Sequence, residues 1–200
     1  GGMEFGRALR KAGITGCIGH SNATVAEVEE AMRNGYSCIV HLYSVMSTVT
    51  RDKGFRRGGV VEAGLLFDDL DVEIICDGKH LPPELIRLIY KIQGADRIAL
   101  VTDSMRGAGM PDGESMLGHY KNGLPCIIEE GVAKLPDRTA FAGNIATADR
   151  LIRVFRHHRF HPPQHGAEIY RRGTGGIQVG FCFLEPRKKH HCRREPTEAA

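Results

Sequence analysis

Along residues 14–155, short apolar runs are separated by segments in which apolar residues recur at helical spacing. This pattern predicts short strands separated by helices. Four runs are apolar almost throughout, which is typical of strands that are covered on both faces. These runs are residues 14–20, 37–43, 72–78 and 97–103. Because parallel sheets bury both faces under connecting helices, the pattern predicts a parallel α/β sheet, either a barrel or a doubly wound sheet.

Two helices between these strands have clear start and stop signals. The first follows three candidate N-caps, Ser21, Asn22 and Thr24, and stops at Gly35. The second spans residues 82–94, with proline in its first turn and glycine at its end. Helices in these places fit the connections between parallel strands.

The pattern changes toward the C-terminus. Residues 105–115 are rich in glycine and proline and predict a loop, and residues 124–137 predict a short hairpin that turns at Glu130 and Gly131. Residues 141–155 begin as a loop and continue as an amphipathic helix. A whole (β/α)₈ barrel usually needs about 250 residues. Four strands therefore predict roughly half of a barrel, that is, a fragment.

Composition predicts a soluble cytoplasmic protein. The chain has 200 residues, of which 42% are hydrophobic and 26% charged, and no apolar run reaches the ~18 residues of a membrane helix. The opening segment GGMEFGRALRKAG reads as the end of a helix and lacks the pattern of a signal peptide. The six cysteines contain no C-x-x-C pair, which favours reduced, buried thiols over a disulfide framework.

The basic charge belongs to the C-terminal tail. The whole chain has a net charge of +3, but residues 156–200 alone carry +5 and six of the ten histidines. Such a tail is compatible with a nucleic-acid arm, a metal-binding tract or a disordered end. We favour a fourth interpretation, in which the reading frame is lost near Phe155. We expect a partial barrel over residues 1–155, an irregular tail after it, and no nucleic-acid partner, because no recognition module accompanies the scattered basic residues.

Each predicted strand ends at or just before a side chain that can bind a metal or move a proton. These side chains are His20, His41, Asp77 with His80 in the same turn, and Asp103. One histidine after a strand is usually structural, and one aspartate there commonly caps a helix. In parallel α/β folds, however, the carboxyl ends of the strands converge on one face. The repeated register therefore predicts one shared site.

The residue types at these strand ends predict metal-assisted hydrolysis. Two imidazoles suit a divalent ion, zinc above all, with iron, manganese or cobalt as alternatives, and a carboxylate and a water would complete the shell. Such an ion lowers the pKa of its bound water, and a nearby carboxylate can accept the proton and pass it on. We expect Asp103, at the end of the apolar run ALVTDSM, to be buried, and a bound metal would then offset the unfavourable burial of its carboxylate.

Five motifs in order carry a resemblance to a known family: GHSNAT, HLYSVM, ICDGKH, LVTDSMRGAGMPDG and LPDRTAFAGNIATADRLIRV. They resemble the second half of N-acetylglucosamine-6-phosphate deacetylases of the amidohydrolase superfamily, from about residue 3 to residue 155. The resemblance implies a partial (β/α)₈ barrel of the metal-dependent hydrolase type. It also implies deacetylation of N-acetylglucosamine 6-phosphate to glucosamine 6-phosphate and acetate, and homo-oligomers among full-length relatives.

The resemblance also implies roles for individual residues. His20 and His41 would be metal ligands, and Asp103 would be the general base and then the general acid. His80 would bind and polarise the N-acetyl carbonyl, and Arg51 would bind the sugar phosphate through its guanidinium fork, with Arg56 or Arg57 as competitors. The other implied substrate-binding residues are Ser44, Val45, Asp77, Phe141, Ala142 and Gly143.

The chain also departs from the family's pattern. Ser44 and Val45 replace the usual Asn-Ala of the phosphate contact, and Asn144 stands where a small residue, often serine, is expected. The family's metal-binding glutamate and a second substrate-binding histidine lie on earlier strands that this sequence does not contain, and Glu62 is in the wrong place to replace the glutamate. Three alternatives therefore stay open: an inactive fragment, an amidohydrolase for another N-acyl or cyclic amide, and a nucleic-acid binder that uses the basic tail.

Overall fold

The computed structural model describes residues 1–119 and 121–160. Its helices are α1 (Gly2–Lys11), α2 (Val25–Arg33), α3 (Val60–Leu66), α4 (Pro83–Gln93) and α5 (Ala148–Phe160). Its strands are β1 (Gly16–Ile18), β2 (Tyr36–Ile39), β3 (Thr50–Asp52), β4 (Phe55–Arg57), β5 (Asp71–Ile74), β6 (Ile98–Leu100), β7 (Gly113–Leu117), β8 (Leu124–Glu129) and β9 (Val132–Lys134). No helix in the described part of the chain is long and apolar enough to span a membrane.

The main sheet consists of four parallel strands in the order β1-β2-β5-β6. Its register pairs Ile39 with Val72, and Val72 in turn with Ile98. These three side chains are at most 5% exposed and belong to one apolar core with residues of the helices. Burying one such side chain contributes about 1.5–3 kcal/mol. The predicted parallel α/β class is therefore confirmed, in the form of a partial, barrel-like sheet.

The predicted helix signals also act as expected. The Thr24 side chain accepts a hydrogen bond from the Glu27 amide, and the Glu27 carboxylate accepts one from the Thr24 amide at 2.8 Å, which makes a capping box at the start of α2. Of the three candidate N-caps, Thr24 is the one used. At the end of α4, Gly94 takes a φ of 68°, a conformation that glycine adopts without strain.

The strands are shorter than the apolar runs that predicted them. The chain leaves the extended conformation before each run reaches its polar end residue. His20, His41 and Asp103 have φ values of 44°, 32° and 46°, in the left-handed region that L-residues rarely adopt. In three of the four runs the backbone therefore turns sharply at the polar residue, which lies beyond the strand.

A second, antiparallel sheet of β7, β8 and β9 follows the main sheet. The predicted hairpin is confirmed, with positive φ at both Glu130 and Gly131. The prediction of a loop over residues 105–115 was wrong at its end, because β7 begins at Gly113 and pairs with β8. The side chains of β7 are exposed or half-buried, so no apolar run indicates this strand.

The predicted boundary at residue 155 falls inside a helix. Helix α5 continues to Phe160, and its residues Leu151 and Phe155 are buried in the main core. Residues 156–160 are therefore helical, which corrects the expectation of an irregular segment there. The rest of the predicted tail, residues 161–200, lies outside the described residues.

Candidate functional site

The candidate site lies along the carboxyl edge of the main sheet. His20 follows β1, His41 follows β2, Asp77 follows β5 and Asp103 follows β6. Because these strands are neighbours and parallel, the four residues follow one edge of the sheet in the same order. This is the edge at which ligands bind in parallel α/β folds.

His20 and His41 are in direct contact at this edge. Their ring centroids are 4.9 Å apart, with the ring planes tilted by 49°. His20 is exposed, whereas Nδ1 of His41 is buried and has no hydrogen-bond partner among the described residues. A buried polar atom without a partner is unfavourable, and left-handed backbone at both residues adds strain of a kind that clusters at functional sites.

These two imidazoles fit a divalent metal in part. Neutral imidazole nitrogen is the commonest protein ligand for such ions, and the buried Nδ1 of His41 lacks any other partner in residues 1–119 and 121–160. Within the same residues, no group of three or more His, Cys, Asp or Glu side chains is arranged to hold a metal. The expectation that a carboxylate completes the shell is therefore not met in the described chain, where His20 and His41 alone remain as candidate ligands.

Asp77 and His80 form a hydrogen-bonded pair in the next turn. Oδ2 of Asp77 lies 2.9 Å from Nδ1 of His80, and Oδ1 accepts hydrogen bonds from the amides of Lys79 and His80. Asp77 is only 1% exposed. Burial raises the pKa of this carboxyl, but the hydrogen bonds from the His80 side chain and the two amides outweigh that effect and hold its pKa below the usual value.

This pairing determines which ring nitrogen of His80 is available. Because the Asp77 carboxylate can only accept, Nδ1 of His80 carries a proton and Nε2 is left for another partner. The ring of Phe141 lies against His80, with centroids 5.0 Å apart. The amide of Ala142 donates to the Ala133 carbonyl at 2.8 Å, which ties the predicted loop to β9. Gly143, the last loop residue, has a φ of 95°.

Arg150 is a contact of this turn that the sequence analysis missed. Its Nε donates to the backbone carbonyl of Asp77 at 3.0 Å, and Nη1 donates to the carbonyl of Gly131 at 2.8 Å. Helix α5 therefore joins the Asp77 turn to the hairpin of β8 and β9. The helical pattern of residues 141–155 predicts only that Arg150 lies on a helix. No sequence signal indicates that its side chain contacts the two backbone carbonyls.

Asp103 is exposed in its turn, which corrects the expectation of a buried carboxylate. The charge of Asp103 acts on a second carboxylate, Glu73. Burial raises the pKa of Glu73, and the negative charge of Asp103 raises it further. Glu73 lies on β5 and pairs in register with Ala99 of β6. Glu73 was not predicted from the sequence, although a glutamate inside the apolar run VEIICDG is a signal that could have indicated it.

The predicted phosphate contacts lie in two places. Ser44 donates its amide to the His41 carbonyl at 2.8 Å, so the Ser44 and Val45 turn lies next to the histidine pair. Arg51 lies in the exposed hairpin of β3 and β4, opposite Arg56. Arg57, the other competitor, forms an ion pair of 2.7 Å with Asp52.

Glu62 has a structural role in this protein. Its carboxylate accepts hydrogen bonds of 2.7 Å from the Gly59 amide and the Thr48 hydroxyl, and so caps the start of α3. Burial raises the pKa of Glu62, but these hydrogen bonds outweigh that effect and lower its pKa overall. This agrees with the expectation that Glu62 does not replace the family's metal-binding glutamate.

The fold and its polar edge define a class first: a partial (β/α)₈-type chain with candidate site residues at the carboxyl ends of its strands. A curated N-acetylglucosamine-6-phosphate deacetylase from Lysinibacillus sphaericus is 37% identical to this chain over 155 residues, which is 78% of this chain and 38% of that protein. No protein-family model matches the chain.

Solved structures agree with the curated relative. N-acetylglucosamine-6-phosphate deacetylase from Thermotoga maritima has a TM-score of 0.69 at 35% identity and covers 78% of this chain and 40% of its own. A mutant of the Mycobacterium smegmatis enzyme, in complex with N-acetyl-D-glucosamine-6-phosphate, has a TM-score of 0.71 at 29% identity and covers 80% and 40%. The chain is therefore related to the N-acetylglucosamine-6-phosphate deacetylases, an amide hydrolase family, and spans about two fifths of the length of these relatives.

Proposed function

We propose that this chain forms part of a metal-dependent deacetylase that converts N-acetylglucosamine 6-phosphate to glucosamine 6-phosphate and acetate. The observation that carries the proposal is the contact between His20 and His41, whose rings are 4.9 Å apart and leave a buried Nδ1 without a partner among the described residues. The substrate is the one for which these relatives are named.

His20 and His41 would hold a divalent cation, for which zinc is the first candidate and iron, manganese and cobalt are alternatives. A cation bound there would supply a water of lowered pKa and polarise the carbonyl of the acetyl group. Further ligands would have to come from outside the described residues, because these contain no group of three suitable side chains.

His80 would orient the acetyl group. The Asp77 carboxylate accepts a hydrogen bond from Nδ1 of His80. With a proton on both ring nitrogens, His80 would also donate from Nε2 to the acetyl oxygen, where negative charge develops during the reaction. Phe141, which lies against the ring, would cover the acetyl group, together with Ala142 and Gly143 of the same loop.

Asp103 would move the proton. It would accept a proton from the attacking water and deliver it to the sugar nitrogen as the amide bond breaks, so that the products are acetate and the free amine. Its exposed position at a strand end leaves the carboxylate accessible to substrate. Arg51 of the exposed hairpin would bind the 6-phosphate, with Ser44 and Val45 forming the turn beside His41.

A second candidate is a metal-binding but inactive fragment. The observations that favour it are the two imidazole donors without a third ligand in the described chain and the coverage of only 38% of the curated relative. A third candidate is an amidohydrolase for another N-acyl substrate, which Ser44 and Val45 favour because they replace the family's usual phosphate contact.

One assay distinguishes these candidates. The full chain is loaded with zinc, and acetate release is measured with N-acetylglucosamine 6-phosphate and with N-acetylglucosamine, beside the matched variant Asp103→Asn. The proposal expects release that needs the phosphate and falls about 10²-fold or more in the variant. Zinc binding without release supports the inactive fragment, and equal rates on both substrates support the third candidate. An active Asp103→Asn protein contradicts the mechanism.

A further inference from the structure

Asn144 is a fully buried amide, 0% exposed, that lies between the end of β6 and the start of α5. A buried side-chain amide needs hydrogen-bond partners for both its oxygen and its nitrogen. In this protein both atoms have them, and the partners lie in two segments that are far apart in the sequence. The amide therefore connects the two segments.

Asn144 forms hydrogen bonds with the backbone on both sides of Asp103. Nδ2 donates to the carbonyl of Thr102 at 2.7 Å, and the backbone carbonyl of Asn144 accepts from the amide of Met105 at 2.8 Å. A further bond runs from the hydroxyl of Ser104 to the carbonyl of Ala146 at 2.5 Å. The backbone is thus held immediately before Asp103 and again after it.

The oxygen of the same amide holds its own segment in place. Oδ1 accepts hydrogen bonds from the amides of Ile145 at 2.8 Å and Ala146 at 3.0 Å. The Asn144 side chain thus connects the two segments: Nδ2 donates to the segment that contains Asp103, and Oδ1 accepts from the segment that leads into α5. Aspartate lacks the donor, and a serine hydroxyl supplies one donor on a shorter side chain.

Asp103 needs such support because its φ of 46° is a strained conformation for an L-residue. Strain of this kind persists only where the surrounding structure over-determines it. We infer that Asn144 is a positioning residue that holds Asp103 in its left-handed turn and so aims the carboxylate into the site. The inference rests on the proposed function only in the role that it gives to Asp103.

The test uses backbone chemical shifts, which report φ without any activity. In the full chain, Asn144→Ala and Asn144→Asp are compared with Gln93→Ala, which removes a different buried amide that donates to the Gly64 carbonyl. Asn144→Asp keeps the shape of the side chain and removes the Nδ2 donor. We expect both Asn144 variants to move the Asp103 Cα and Cβ shifts out of the left-handed range and to leave the His20 and His41 shifts in place. The Gln93 variant should lose stability and keep the Asp103 shifts.

The kinetic readout separates this inference from the proposed function. If the chain is active, Asn144→Asp should lower kcat by about 10² with little change in KM, as expected when a reacting group is misplaced. If the wild type releases no acetate and the shifts still move, the proposed function fails and the positioning role stands. Unchanged Asp103 shifts in Asn144→Asp overturn the inference, including the case in which Asn144→Ala does not fold.

Discussion

Oδ2 of Asp77 lies 2.9 Å from Nδ1 of His80, in a turn where the same carboxylate also binds two backbone amides. The carboxylate is buried, so its charge is stable there only because all three donors face it. This pair links the fold to the candidate chemistry. The hydrogen bonds that stabilise the turn also determine the orientation of the imidazole.

The Asp77 carboxylate should make folding depend on pH. Because its pKa is lower in the folded chain than the value of about 3.9 in an unfolded one, its contribution is fully present above the unfolded pKa and is lost as pH falls through the folded pKa. Urea unfolding between about pH 6 and pH 3 should show a steeper loss of stability in the wild type than in Asp77→Asn. Asp112→Asn, on an exposed loop, should follow the wild type. Parallel curves for wild type and Asp77→Asn would contradict this account.

Glu73 of β5 and Asp103, which follows β6, should be coupled. Burial raises the pKa of Glu73, and the charge of Asp103 adds to the rise. Asp103→Asn removes that charge and should lower the pKa of Glu73 toward its ordinary value, as measured by the pH titration of its side-chain carboxyl carbon in NMR. Asp112→Asn is again the control. An unchanged Glu73 titration in Asp103→Asn would show that the two groups do not face each other.

Thiol reactivity tests the packing of the sheet. Cys17 is exposed, whereas Cys38, Cys76 and Cys126 are buried. Burial, with the charge of Asp77, raises the pKa of Cys76 to about 12, so little thiolate forms near neutral pH. Among these four cysteines, iodoacetamide at about pH 8 should modify Cys17 first and Cys76 only after unfolding, as mapped by mass spectrometry of each peptide. Rapid labelling of Cys76 in the folded chain would contradict the burial of β5 and its turn.

The main sheet could be predicted because its strands are apolar on both faces. Residues 72–78 and 97–103 are apolar at most positions, which is typical of strands covered on both faces. The polar residues at their ends therefore stand out in the sequence. The hairpin of β3 and β4 has exposed side chains only, so its sequence shows no periodicity. Helix α3 is short and was not predicted either.

The contacts that hold the candidate site could not be predicted in the same way. Asn144 and Arg150 contact backbone atoms of distant segments, and a hydrogen bond to a backbone carbonyl requires no particular residue at the partner position. Asn144 was noted as a departure from the family's pattern, but its burial and its partners are tertiary properties. Residue types at strand ends indicate where a site lies, whereas the groups that position them depend on the folded structure.

Zinc binding by His20 and His41 is the most direct test of the account, and it needs no substrate. After loading and exhaustive dialysis, the full chain should keep about one equivalent of zinc more than His20→Ala and His41→Ala, since each variant removes one of the two imidazole ligands. His119→Ala, on a loop of the other sheet, should match the wild type, and the tail histidines are the same in all four proteins. Equal zinc content in the wild type and both strand-end variants would contradict the proposed metal site and the function built on it.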